Sequence, residues 1–198
     1  MMRLLLFIKH HMRFLWSIAE WGNGIVFKIF FRRIVCKNIQ SACKKFSNGD
    51  VVCRPLAEGD LLMLSAFFKS QPEESYLYFK PHGFEIADLR KVYKNPAFVM
   101  LGVMDAQQQK LLGYFMMRFF ANRKCFVGFL VDAAARGRGI AGLMGKIMLT
   151  ACWESNFEAL ATVSKKNEAA LKAYRKLNHF SILKELPDDY IYIKYERE

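Results

Sequence analysis

Arg136-Gly137-Arg138-Gly139-Ile140-Ala141 stands between a run that reads as a strand and a run that reads as a helix. The run before it, Cys125-Phe126-Val127-Gly128-Phe129-Leu130-Val131, is short, apolar and rich in β-formers. The run after it, from Ile140 to Ser155, carries Leu143, Met144, Ile147, Met148 and Ala151 at helical spacing. A glycine-rich loop entering a helix offers backbone N–H groups, and the positive end of the helix dipole, to an anion. Arg136 and Arg138 add charge-assisted donors for phosphate oxygens. The residues by themselves predict that a phosphate-bearing molecule docks here.

Two kinds of loop share this pattern. Gly137, Gly139 and Gly142 spell G-x-G-x-x-G, the dinucleotide-binding fingerprint. That fingerprint opens the first strand–helix unit of a parallel sheet, with an acidic residue ending the next strand. Here the loop comes late in the chain, and the next strand, Leu160-Ala161-Thr162-Val163, ends at Ser164 and Lys165. The nicotinamide reading fails on context. The other reading fits on both sides. Arg136-x-x-Gly139-x-Ala141 resembles the R/Q-x-x-G-x-G/A pyrophosphate loop of the GNAT superfamily of acetyl-CoA-dependent N-acetyltransferases. Downstream, Asn167-x-x-Ala170-x-x-x-Tyr174-x-Lys176-Leu177 resembles that family's N-x-x-A-x-x-x-Y-x-K-L helix. The resemblance spans Phe126 to Phe180, thins toward Val51 and does not reach the first fifty residues.

What the resemblance implies can be stated residue by residue. Phe129 and Val131 would hold the pantetheine arm of the cofactor through backbone groups, as if it were an added strand. Arg136, Gly137, Arg138, Gly139, Ile140 and Ala141 would cradle the pyrophosphate, and Asn167 would contact the pantetheine. Asn167 is also a good N-cap for the helix Glu168 to Leu177, and both roles stand open. Tyr174 matches the tyrosine that hydrogen-bonds or protonates the departing thiolate; packing as an amphipathic core tyrosine is the alternative. The family pattern ends in a glycine where this chain has Asn178, which tolerates the left-handed conformation of a helix stop.

The acceptor side is quieter. A protonated alkylamine must lose its proton before it attacks, which costs roughly 4 kcal/mol at neutral pH. No Asp or Glu precedes Asp132 on the strand before the loop, so a base must come from elsewhere. The segment Tyr76-Leu77-Tyr78-Phe79-Lys80-Pro81-His82-Gly83-Phe84-Glu85 supplies His82 and Glu85 among aromatics, and its Phe-x-Pro-His resembles some GNAT members associated with surface-polysaccharide sugars. His82 is the candidate base or acceptor contact, beside the reading of a loop histidine without a catalytic part.

Composition frames these motifs. The chain has 198 residues, 53% hydrophobic and 24% charged, which is globular and excludes disorder. Five cysteines, at 36, 43, 53, 125 and 152, form no C-x-x-C pair, so neither zinc nor structural disulfides are expected and a cytoplasmic setting is. Of the net charge of +12, residues 1–50 carry +7, from nine Lys/Arg against Glu20 and Asp50. Leu4 to Ile8 is apolar, Lys9, His10 and His11 follow, and Phe14, Leu15, Trp16 and Ile18 lead to Trp21. Gly22-Asn23-Gly24 reads as a turn, and Ile25 to Ile39 resumes with Lys28, Arg32 and Arg33 inside it. Neither block has the roughly 18–20 uncharged residues of a spanning helix, nor the cleavage site of a secretory signal. Two amphipathic helices are expected. They pack on the rest of the chain, pair with a second copy as a homodimer, or lie peripherally on a membrane; bulky apolar residues argue against nucleic acid.

From Val51 the patterns predict strand, two helices, three strands, helix, strand, helix and two strands, the GNAT order. The expected fold is α+β in three layers, a mixed sheet of about seven strands flanked by helices. Residues 1–50 form a basic helical extension and 51–198 the acetyltransferase domain. The expected activity is acetyl transfer from acetyl-CoA, without metal, to a primary amine by direct attack in a ternary complex, an amino sugar being the first acceptor considered. The alternative is a non-catalytic acyl-CoA-binding module tethered through its N-terminal helices.

Overall fold

The computed structural model describes residues 13–107 and 110–197. The apolar block Leu4 to Ile8, the basic Lys9 to His11, and Gln108 and Gln109 lie outside the described residues. Helices α1 (Arg13–Phe30) and α2 (Arg32–Phe46) precede strand β1 (Val51–Pro55). Helices α3 (Leu61–Lys69) and α4 (Ile86–Tyr93) follow, then β2 (Phe98–Asp105), β3 (Leu111–Phe119) and β4 (Lys124–Val131). The chain ends with α5 (Ile140–Glu154), β5 (Glu158–Ser164), α6 (Glu168–Leu177), β6 (Phe180–Leu186) and β7 (Tyr190–Tyr195). The order agrees with the sequence pattern.

The seven strands form one sheet in the order β1-β2-β3-β4-β5-β7-β6. Every neighbouring pair is antiparallel except β4 and β5. A parallel pair needs a crossover connection, and α5 supplies it. One face of the sheet is closed by a core to which α1, α2, α5 and α6 contribute Phe27, Ile39, Met144 and Tyr174. The other face is closed by Leu64, Phe68 and Leu89 of α3 and α4 over Met100, Tyr114 and Leu130. Alternation along the strands feeds the two cores from one sheet, as period-two patterning requires.

The N-terminal helices are built into the first core. Phe27 stacks on Phe119 with ring centres 5.1 Å apart, and Phe31 meets Phe157 edge-on at 5.4 Å. The Asn38 amide donates to Ser155 Oγ at 3.0 Å, tying α2 to the end of α5. Glu20 pairs with Arg118 of β3. The turn expected at Gly22-Asn23-Gly24 does not form; α1 runs through it, and the break falls at Phe31, with φ −121° and ψ −27°. Tertiary docking explains the misleading residues. Asn23 donates to Phe119 O at 2.9 Å and accepts from Ala121 N at 2.9 Å, and a Cβ on Gly24 would lie 3.3 Å from Pro96. Helix α2 continues past Ile39 to Phe46.

Candidate active site

Strand β4 sets the geometry. Asp132 N–H donates to Leu112 O, and Phe120 N–H donates to Lys124 O, each at 2.9 Å. Even-numbered residues of β4 therefore turn their backbone groups toward β3, and Val127, Phe129 and Val131 turn theirs toward β5. The β4–β5 ladder pairs Lys124 with Glu158, Cys125 with Ala159 and Phe126 with Leu160, and then stops. Past Phe126 the strands part, and the backbone groups of Val127, Phe129 and Val131 face an opening. Buried backbone donors and acceptors need partners, so this edge is suited to an extended, amide-bearing ligand.

The opening is a cleft of about 660 Å³ that passes between β4 and β5. It brings together Phe129, Val131, Arg136, Ala141, Asn167 and Tyr174. At its phosphate end, Gly137 and Gly139 have φ of +80° and +79°, conformations that a side chain would strain. Gly139 is the residue before α5 and gives it no side-chain cap; the first helical bond is Leu143 N to Gly139 O. The N–H groups of Ile140, Ala141 and Gly142 are thus left outside the helix ladder, and no acidic residue occupies the first turn. Such a helix entrance is suited to an anion. Ile140 contributes only its backbone, since its side chain is buried in the core. Gly137, Arg138 and Gly139 are exposed beside the cleft and do not line it.

The loop is braced from behind. Asp132 Oδ1 accepts from Ala134 N at 2.8 Å, Gln71 Oε1 accepts from Ala133 N at 3.0 Å, and Gln71 Nε2 donates to Asp132 Oδ2 at 3.3 Å. Both side chains are buried. Arg136 donates to Ser75 Oγ at 2.8 Å, which joins the phosphate loop to the segment after α3. That segment, from Glu74 to Pro81, forms one wall of the cleft, and a Cβ on Gly128 would lie 3.5 Å from the Phe79 ring. None of these partners was marked by the sequence, where Ser70 to Pro81 is simply irregular.

Asn167 caps α6, its Oδ1 accepting from Ala170 N at 3.1 Å, which leaves its amide nitrogen for the cleft it lines. Tyr174, about two turns further on, sits edge-on to Phe129 and to Tyr195, each ring centre 5.7 Å away. Burial pushes its phenol up to about 12, so it keeps its proton at neutral pH and is able to donate it in a hydrogen bond. Helix α6 ends without the left-handed residue expected, because Asn178 is already extended at φ −171° and enters β6 directly.

His82 lies elsewhere. It does not line the cleft but sits among Phe68, Phe84, Phe98 and Tyr114. Its Nδ1 is 2.7 Å from Gly83 O, which can only accept, so Nδ1 carries the proton; Nε2 then accepts from the Tyr114 hydroxyl at 2.7 Å. Burial lowers its pKa and keeps it neutral, yet its one lone pair is taken. Glu85 is also outside the cleft, paired with Lys69 at 3.0 Å. Among the described residues, the carboxylate that does line the cleft is Glu74. All five cysteines are free, and among the described residues no group of His, Cys, Asp and Glu could hold a metal ion.

Comparison with known proteins agrees with this fold. The model of the acetyltransferase (GNAT) family matches residues 62–180. The GNAT domain of S. lividans PAT superposes with a TM-score of 0.63 at 18% identity, covering 73% of this chain and 89% of that one. Spermidine N-acetyltransferase from Vibrio cholerae, solved with CoA and spermine, gives 0.57 at 20% identity, covering 74% and 94%. Aminoglycoside acetyltransferase AAC(6')-Ib, solved with coenzyme A and kanamycin, gives 0.58 at 16% identity, covering 74% and 95%. No curated protein matches in sequence.

Proposed function

The chain belongs to the acetyltransferase (GNAT) family, and from that premise we propose that it passes an acetyl group from acetyl-CoA directly to a primary amine within a ternary complex. The observation that carries the reading is the cleft between β4 and β5, with an uncapped helix N-terminus at one end and Tyr174 along its wall. The donor supplies an acetyl group activated as a thioester. The chain's residues fit it end to end. The N–H groups of Ile140, Ala141 and Gly142 take the pyrophosphate, and the free edge of Val127, Phe129 and Val131 takes the amides of the pantetheine arm. Asn167 donates its amide hydrogen to the same arm.

During transfer the amine nitrogen bonds to the acetyl carbon, the C–S bond breaks, and the sulfur leaves with the electron pair. Tyr174 donates a hydrogen bond to that sulfur. Its phenol near 12 exceeds an ordinary thiol at about 8.5 by several units, so stabilisation of the thiolate takes precedence over complete proton delivery. Holding both reactants in one cleft removes the entropy of encounter, the largest contribution available here. The amine gives up its proton to water in the cleft or to Glu74, the carboxylate that lines it. His82 is assigned to the scaffold.

The acceptor is best read as an amino sugar borne on an anionic group. Tyr78 and Phe79 offer flat apolar faces, and Lys80 stands beside them on the same wall. A polycation would find little to hold it. A panel of amines tests this by thiol release: a phosphate-linked amino sugar is expected to surpass spermidine and free lysine by about tenfold or more in kcat/KM, a difference of one charge pair. Faster turnover of the polyamine would reverse the assignment.

A further inference from the structure

We propose that the outer face of α1 and the start of α2 docks on an anionic lipid surface, independently of the chemistry in the cleft. Residues Ile18, Trp21, Ile25 and Ile29 recur three or four apart and share the face of α1 opposite Phe27, which is fully buried. Trp21 is 70% exposed, Ile29 67% and Phe30 69%, although large apolar side chains are normally covered. Lys28, Arg32 and Arg33, all exposed, stand among them, and Lys37, Lys44 and Lys45 continue the charge along α2. The single acid of these two helices, Glu20, is turned inward onto Arg118 and cancels nothing on the outer face.

Charge decides between the occupants. Two copies of this face brought together would oppose Lys28, Arg32 and Arg33 to their own likes, which penalises a symmetric dimer. An anionic membrane answers both features at once: apolar side chains enter the headgroup boundary, and the cations meet lipid phosphates and carboxylates. Among the described residues no helix is long and apolar enough to cross a membrane.

Flotation of the full chain tests the proposal, using vesicles of phosphatidylcholine alone and vesicles with about one part in three phosphatidylserine. The protein is expected to float with the anionic vesicles, to leave the neutral ones, and to be released by salt. Replacing Trp21, Ile29 and Phe30 together by serine, or Lys28→Glu with Arg32→Glu and Arg33→Glu, is expected to lower the bound fraction about tenfold or more. The variant side chains are exposed, and an unchanged melting temperature would show that the fold is intact. In the unmodified chain, a blue shift of emission on adding anionic vesicles, lost in Trp21→Phe, reports the same contact. No flotation, or equal flotation on neutral vesicles, overturns the proposal. So does a lipid-indifferent dimer that the serine variant dissociates, which would assign the face to a second copy.

Discussion

Tyr174, which lines the cleft, and His82, which lies outside it, separate by where their polar atoms go. Tyr174 presents a protonated phenol to the cleft; Tyr174→Phe is expected to lower kcat about a hundredfold while leaving the dissociation constant for acetyl-CoA unchanged. Because its pKa lies near 12, the alkaline limb of the pH–rate profile should show no loss from this residue below about pH 11. His82 answers differently. Its partner is the fully buried Tyr114 hydroxyl, so His82→Ala leaves that group unpaired and should cost about 1–3 kcal/mol of stability, read by denaturant unfolding. The folded fraction should keep its kcat, which a lost base could not do. Tyr174 was legible in the sequence because its spacing from Asn167 belongs to a motif. Glu74 was not, since a lone carboxylate in an irregular stretch carries no pattern until the loop is seen folded over Gly128.

The next scale is the element. Two short apolar runs that read as strands predicted β4 and β5, and the helix between them is the crossover that their parallel pairing needs. That the pair separates after Phe126 has no signature in either run; it arises where the ladder ends and the chain turns through Asp132 into α5. The phosphate loop is the opposite case, since glycines at 137 and 139 announce left-handed backbone, and both adopt it. Gly139→Ala meets no neighbouring atom, so its effect is one of conformation alone: about 1–2 kcal/mol of strain, relieved by displacing the N–H groups of α5. Isothermal titration should find acetyl-CoA bound roughly tenfold more weakly, with kcat at saturation little changed. The glycines at 22 and 24 look alike in sequence yet lie inside α1, where close contact with Pro96 rather than a turn accounts for Gly24.

In the whole molecule the N-terminal helices and the sheet share one core, which the composition of residues 1–50 did not reveal. An amphipathic pattern marks an apolar face without naming what covers it; here Phe27, Val35 and Ile39 face the sheet, and Trp21 and Ile29 remain outside. Stability should fall on the alkaline side. Burial raises Cys43 and Tyr174 to about 12 and Cys53 to about 11, so the folded chain keeps protons that the unfolded chain loses. With fewer protons on the unfolded state, the free energy of unfolding declines as pH rises, beginning near the ordinary thiol value of 9.0 and continuing toward about 12. A melting temperature that held constant from pH 8.5 to 11 would contradict the burial of these groups. Direct transfer through the β4–β5 cleft is tested most plainly by initial rates of thiol release, with acetyl-CoA and amine varied together. The proposed ternary complex predicts intersecting reciprocal plots and no stoichiometric thiol before amine is added. Parallel plots with an amine-independent burst, or tight binding of acetyl-CoA with no release to any amine, would contradict it.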